Sequence, residues 1–146
     1  MAFGANLGDA RATVLRAVQE VGALATTQLH KASSLYASAP HEATGPEFVN
    51  AVAIYDTDLP PLDLLEALQN LEHVAGRERL FPNAPRTLDL DIIFYGDLAL
   101  ATPRLTLPHP RWQERAFVLK PLAEILPDLV KDVWLKKVSD QEIYRL

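Results

Sequence analysis

Hydrophobic positions along this 146-residue chain switch between two periods, and the switches lay out its elements. Residues 1–5 read as the end of a strand, closed by a turn at Asn6-Leu7-Gly8-Asp9, with Asp9 placed to cap a helix. Val14, Leu15, Val18, Val21 and Leu24 then recur at helical spacing, and Gly22 inside that pattern weakens its last turn. Residues 27–38 read as one long strand. Residues 39–47, with two prolines and a glycine, read as a loop, and Phe48–Thr57 as a second strand. Pro60-Pro61 opens a helix with Leu64, Leu65, Leu68, Leu71 and Val74 on one face and Gly76 as the expected C-cap. A second loop spans residues 77–85. Residues 88–95 form a buried strand, Gly96-Asp97 turns into a short strand over 98–101, and 106–110 is irregular. Ala116–Ile125 is helical, with Pro121 expected in its first turn, and 128–146 carries one more weak helical pattern over 138–146. The succession strand, helix, strand, strand, helix, strand, strand, helix predicts an α+β sandwich: a mainly antiparallel sheet with helices packed on it.

One strand carries unexpected charge. In Arg86-Thr87-Leu88-Asp89-Leu90-Asp91-Ile92-Ile93, two acids alternate with aliphatic residues. On a strand, residues i and i+2 share a face, so the Cα atoms of Asp89 and Asp91 lie about 6.5–7 Å apart. Two carboxylates that close repel each other unless a cation sits between them. Magnesium favours a few carboxylates completed by phosphate oxygens, so the pair predicts a metal–phosphate site. Six of the nine arginines, Arg77, Arg79, Arg86, Arg104, Arg111 and Arg115, fall between positions 77 and 115, where there is no lysine. That selection suggests forked recognition of phosphate oxygens. The competing readings are surface ion pairs with Glu78, Asp97 and Glu114 for the arginines, and a solvated edge strand for the acids. The aliphatic neighbours and the low strand propensity of aspartate argue against the second.

Size and composition narrow the partners. The length suits a single domain over residues 1–146. A net charge of −5 argues against a nucleic-acid partner, so the arginine cluster points to a small polyanion. There is no cysteine, hence no disulfide, thiolate nucleophile or cysteine-bound metal. No apolar run approaches membrane-span length and no signal-peptide pattern opens the chain, so the expectation is a cytoplasmic protein without a membrane partner, and a monomer.

Further residues could carry chemistry. His109, between Pro108 and Pro110, is held in one place and could donate to phosphate. Asn50 interrupts an apolar strand and needs partners, either a loop backbone or a flat heterocycle with donors and acceptors. Gln69 and Glu72 share a helix face and could touch a ribose or base; solvated surface is the alternative. His41 could line a pocket. Phe48 and Phe117 suit core packing more than stacking on a ligand. Gly4 and Gly8 lack the lysine of a phosphate-binding P-loop.

Together these motifs resemble one family. Gly4-Ala5-Asn6-Leu7-Gly8-Asp9, Ser33-Ser34-Leu35-Tyr36, Phe48-Val49-Asn50-Ala51, Gly76-Arg77-x-Arg79, Pro85 to Ile92, Leu105 to Arg111 and Arg115-x-Phe117-Val118-Leu119-x-Pro121-Leu122 follow the order and spacing of 6-hydroxymethyl-7,8-dihydropterin pyrophosphokinases. The resemblance implies a ferredoxin-like sandwich and transfer of the terminal diphosphate of ATP to the pterin hydroxymethyl group, releasing AMP, in folate biosynthesis. It implies two magnesium ions held by Asp89 and Asp91, with Arg77 and Arg86 also in the catalytic set. The ATP side would comprise Gln69, Glu72, Arg77, Arg79, Arg86, Ile92, Arg104, Thr106, His109 and Arg115. The pterin side would comprise Ser38, Ala39, Pro40, His41, Phe48, Asn50 and Phe117. Some such proteins carry a tryptophan in the second loop, and residues 80–84 here have none. The first strand also starts later than usual, which predicts weak pairing of a central strand.

The mechanism this implies is in-line attack of the substrate hydroxyl on the β-phosphorus, with both loops closing to exclude water. The alternative is a non-catalytic nucleotide-sensing domain on the same scaffold, which would need the arginines but not the paired acids.

Overall fold

A computed structural model describes residues 1–39, 46–77 and 88–146. Strand β1 (Ala2–Ala5) runs into a turn where Gly8 takes φ +59°, a left-handed conformation that suits glycine. The Asp9 carboxylate accepts the Ala12 N–H and so caps α1 (Ala10–Gly22), which buries Val14, Ala17, Val18 and Val21. Leu15, grouped with that face by spacing, is exposed.

The single strand predicted over 27–38 is two: β2 (Thr27–Ala32) and β3 (Tyr36–Ser38). Both pair with the long β4 (Phe48–Thr57). At the break, the Ser33 hydroxyl takes the Val52 N–H that a ladder carbonyl would otherwise accept, and the register has already shifted between Leu29 and Lys31. Helix α2 (Pro61–Arg77) runs through Gly76, so that glycine is not the cap; Leu64 and Leu68 are buried and Val74 is exposed.

The strand predicted over 88–95 pairs only as β5 (Asp89–Asp91). Ala2 opposite Asp91 is its last pair, and farther on the Ile93 carbonyl accepts the His109 N–H. Within 98–101 the paired residues are β6 (Leu100–Ala101), which meets β7 (Thr106–Leu107) in a segment predicted to be irregular. A 3-10 turn at Trp112–Glu114 leads into α3 (Ala116–Ile125). Pro121 is the sixth residue of α3, not in its first turn; it is buried and gives no N–H to the Phe117 carbonyl. The tail also differs from expectation. Helix α4 (Asp132–Lys137) precedes a turn, and β8 (Ile143–Arg145) is a strand where a helix was predicted. Its backbone groups go to the free edge of β3, and the Leu146 N–H goes to the Leu35 carbonyl.

The sheet order is β5-β1-β4-β3-β8, with β2 on the other half of β4 and every pairing antiparallel. With β2 and β3 as halves of one broken strand, β1 to β5 follow the βαββαβ order of a ferredoxin-like sandwich. β1 is short but well paired: all four residues face β4, and Ala2, Phe3 and Gly4 also face β5. Side chains alternate across the sheet. Phe3, Ala51, Ala53 and Leu90 join the core under α1 and α2, while Ala2, Val52 and Ile93 join a second core with Trp112, Val118, Leu119 and Leu122 of the α3 layer. Among the described residues, no helix is long and apolar enough to cross a membrane.

Candidate active site

The α3 face of the sheet gathers the polar residues. Leu90 points into the α1–α2 core, so Asp89 and Asp91 point to the opposite face. The register places Asp89 and Asn50 on either side of Gly4, and Tyr36 beyond Asn50. Two interstrand spacings thus separate the acid from the amide, roughly 9.5 Å. Between them lies a residue with no side chain.

Asn50 is 3 % exposed, and its Nδ2 donates to the Ser38 hydroxyl at 2.7 Å. Among the described residues its Oδ1 meets no donor; it lies 3.4 Å from where a Cβ on Gly4 would stand. The partner foreseen as a loop backbone or a heterocycle is therefore, for the donor half, a neighbouring side chain. The acceptor half is turned over Gly4.

His109 arrives from the segment after β7. Its main chain is tied to Ile93, and its Nδ1 accepts the Arg111 N–H at 3.1 Å. In the neutral ring the proton is then on Nε2, which makes that nitrogen a donor. Burial pulls the imidazole below its ordinary value; Asp91 acts in the opposite sense, and Arg115 and Arg111 reinforce the lowering. Those influences show that His109, Asp91, Arg111 and Arg115 share one electrostatic neighbourhood. The guanidinium of Arg115 lies over the Phe117 ring, 5.4 Å from its centroid.

Other candidate residues are placed differently. Ile92 is buried in the α1–α2 core, so its side chain is not available to a ligand. Glu72 accepts the Leu90 N–H at 2.9 Å, tying α2 to the outer edge of β5. Gln69, Arg104 and Thr106 are exposed, Ser38 is buried, Ala39 is exposed, and Phe48 and Phe117 are half-buried. Pro40, His41, Arg79, Arg86, the loop residues 80–84 and the Arg77 side chain lie outside the described residues. Arg111, read as part of the arginine cluster and of the Leu105-to-Arg111 motif but given no role, gives its backbone N–H to His109. Its signal was the Pro108-His109-Pro110-Arg111 run itself.

Among the described residues there is no cluster of three or more histidine or acidic side chains able to hold a metal alone. Two hard carboxylate oxygen donors on one strand face suit magnesium that takes its remaining ligands from water and phosphate. The donor set therefore fits the ion expected from the sequence.

Comparison with known proteins matches most of this chain to one family. The family model described as 7,8-dihydro-6-hydroxymethylpterin-pyrophosphokinase matches residues 1–127. The chain is 48% identical over 130 residues to a 2-amino-4-hydroxy-6-hydroxymethyldihydropteridine pyrophosphokinase of Pseudomonas aeruginosa, covering 88% of this chain and 80% of that one. It is 42% identical over 144 residues to the protein of that name in Synechocystis, covering 99% and 71%. A folic acid synthesis protein of Pneumocystis carinii matches at 38% over 151 residues, 98% of this chain but 20% of that longer one. The chain therefore belongs to the 7,8-dihydro-6-hydroxymethylpterin-pyrophosphokinase family.

Proposed function

We propose that residues 1–146 act as one pyrophosphokinase domain, with the pterin over Asn50 and Gly4 and the triphosphate beside Asp89, Asp91, His109 and Arg115. Family membership makes the chain an ATP-dependent pyrophosphokinase of folate biosynthesis. The transfer moves the terminal diphosphate of ATP to the hydroxymethyl group of 6-hydroxymethyl-7,8-dihydropterin. The observation that supports this placement is the row Asp89–Gly4–Asn50, which puts a carboxylate and an amide on one face of the sheet with only a glycine between them.

In the reaction, a bond forms between the substrate oxygen and the β-phosphorus. The bond from that phosphorus to the α-phosphate oxygen breaks, AMP leaves with the electron pair, and the hydroxyl proton passes to solvent. Asn50 Oδ1 orients the ring by accepting from it. Arg115 presents a fork to phosphate oxygens, and His109 Nε2–H donates to them; with Nδ1 occupied, His109 serves as a donor and not as the base. Asp89 and Asp91 would hold two magnesium ions, whose chemistry there is Lewis-acid stabilisation of phosphate charge. Arg77, Arg79 and Arg86 complete the phosphate contacts in this reading, with Gln69, Glu72, Arg104 and Thr106 toward the nucleotide, and Pro40, His41, Phe48 and Phe117 toward the pterin.

A cytoplasmic monomer without nucleic-acid or membrane partners belongs to the same proposal. The nucleotide-sensing alternative gains no support, since the matched relatives bear the names of pyrophosphokinases or folate-synthesis proteins. The test is AMP release from ATP with and without the hydroxymethyl dihydropterin, at varied magnesium. Release that needs both supports the proposal; release independent of the pterin refutes it.

A further inference from the structure

Helix α3 starts at a residue that cannot cap it. Arg115 occupies the N-cap with φ −120° and ψ 114°, and its side chain makes no cap bond. A guanidinium has only donors, whereas the first turn of a helix needs an acceptor. The acceptor comes from Gln141, 25 residues along the chain: its Oε1 takes the Ala116 N–H at 2.8 Å. The same amide donates through Nε2 to the Glu114 carbonyl at 2.9 Å. One side chain therefore grips the main chain immediately before and after Arg115 and leaves the guanidinium over Phe117.

Gln141 is itself fixed. Its N–H closes a turn on the Val138 carbonyl, and Val138 is buried in the core that holds Trp112. Trp134 of α4 meets Trp112 edge-on at 5.2 Å, which ties the tail to the 3-10 turn before Arg115. The last residues of the chain hold the other side of the site. The Glu142 carbonyl accepts the Ala39 N–H, and the Tyr144 hydroxyl donates to Glu47. All of these tail residues lie beyond residue 127, where the family match ends.

We propose that Gln141 is a positioning residue for the transfer: it supplies the helix cap in place of Arg115 and so frees and aims that guanidinium at the nucleotide phosphates. The inference rests on the proposed placement of Arg115 beside the triphosphate. The usual demand for serine, threonine, aspartate or asparagine at an N-cap is lifted here because a distant amide meets it.

The experiment is a double-mutant cycle on the full chain: wild type, Gln141→Ala, Arg115→Ala and the double variant. Magnesium–ATP affinity is measured by calorimetry without pterin, and melting temperature on the same samples. Arg115→Ala should weaken ATP binding. Gln141→Ala should weaken it roughly three- to tenfold in the wild-type background and not at all once Arg115 is gone. Gln141→Glu keeps the acceptor for Ala116 and loses the donor to Glu114, so it should fall between; if Gln141→Ala fails to fold, the cycle is run with Gln141→Glu. Equal weakening with and without Arg115 would make Gln141 merely structural and overturn the proposal, as would full affinity in Gln141→Ala while Arg115→Ala is impaired. If Arg115→Ala itself binds ATP normally, the placement of Arg115 is wrong, and the inference falls with it.

Discussion

Only the donor half of the Asn50 amide is engaged among the described residues, and that makes a prediction. Its Nδ2 is engaged by Ser38, whereas its Oδ1 is turned over Gly4 and meets no donor among the described residues. Asn50→Ala should weaken pterin binding about ten- to a hundredfold, the worth of one lost polar partner in a buried site, and leave magnesium–ATP binding nearly unchanged. Calorimetry with each ligand separately checks this, and equal losses for both would make Asn50 a fold residue. The acids are a second case at this scale. Asp89 is exposed and Asp91 half-buried, so neither carboxylate is needed by the core. Asp89→Asn and Asp91→Asn should each lower turnover about a hundredfold or more while the melting temperature holds. Full AMP formation by either variant at saturating magnesium would remove that residue from the metal site.

At the scale of elements, β5 is the weak point of the site. It has three residues and, among the described residues, one strand neighbour, β1, yet it carries both acids. Glu72 compensates from α2 by accepting the Leu90 N–H on the strand's outer edge. Glu72→Ala should speed amide exchange at Leu90 and lower turnover without changing exchange in the middle of β4. Unchanged exchange at Leu90 would show that the hydrogen bond does not hold the strand. The sequence put Glu72 with Gln69 on one helix face, toward a ribose or base; a helix-face pattern tells which residues point together but not what else they hold.

Across the whole molecule, Glu124 ties α3 to the segment entering β3 and to the tail strand β8. Its carboxylate accepts from the Ser34 N–H and hydroxyl and from the Tyr36 hydroxyl at 2.7 Å, and pairs with Arg145 of β8 at 3.8 Å. Burial pushes this carboxyl up, but the bonds from Tyr36 and Ser34 and the charge of Arg145 outweigh it and hold it below the ordinary 4.5. Tyr36, pushed up to about 12 first by burial and then by Glu124, keeps its proton throughout. A depressed carboxyl stabilises the fold above its unfolded value and stops doing so as pH falls through its folded value. Glu124→Gln should therefore cost about 1–3 kcal/mol at neutral pH, with the gap from wild type closing only below pH 4.5. Urea unfolding across that range measures it, and a gap independent of pH would mean that the charge is irrelevant.

Much of the element order was legible in the sequence because it rests on local periodicity. Phe48–Thr57 and Ala116–Ile125 have the expected bounds, and Asp9 caps α1 as its side chain allows. The acid pair, too, was legible from alternation alone. What the sequence could not determine depends on partners distant in the chain. Residues 27–38 divide because the Ser33 hydroxyl meets Val52, and β5 ends where its pairing with β1 ends. Residues 143–145 form a strand because β3 offers an unpaired edge, which a weak helical pattern cannot compete with. Asp91, His109 and Arg115 influence one another, and Gln141 reaches the main chain on either side of Arg115, only after the chain has folded back on itself. Side-chain period is a property of a segment, whereas a binding site is a property of contacts, and only tertiary structure sets contacts.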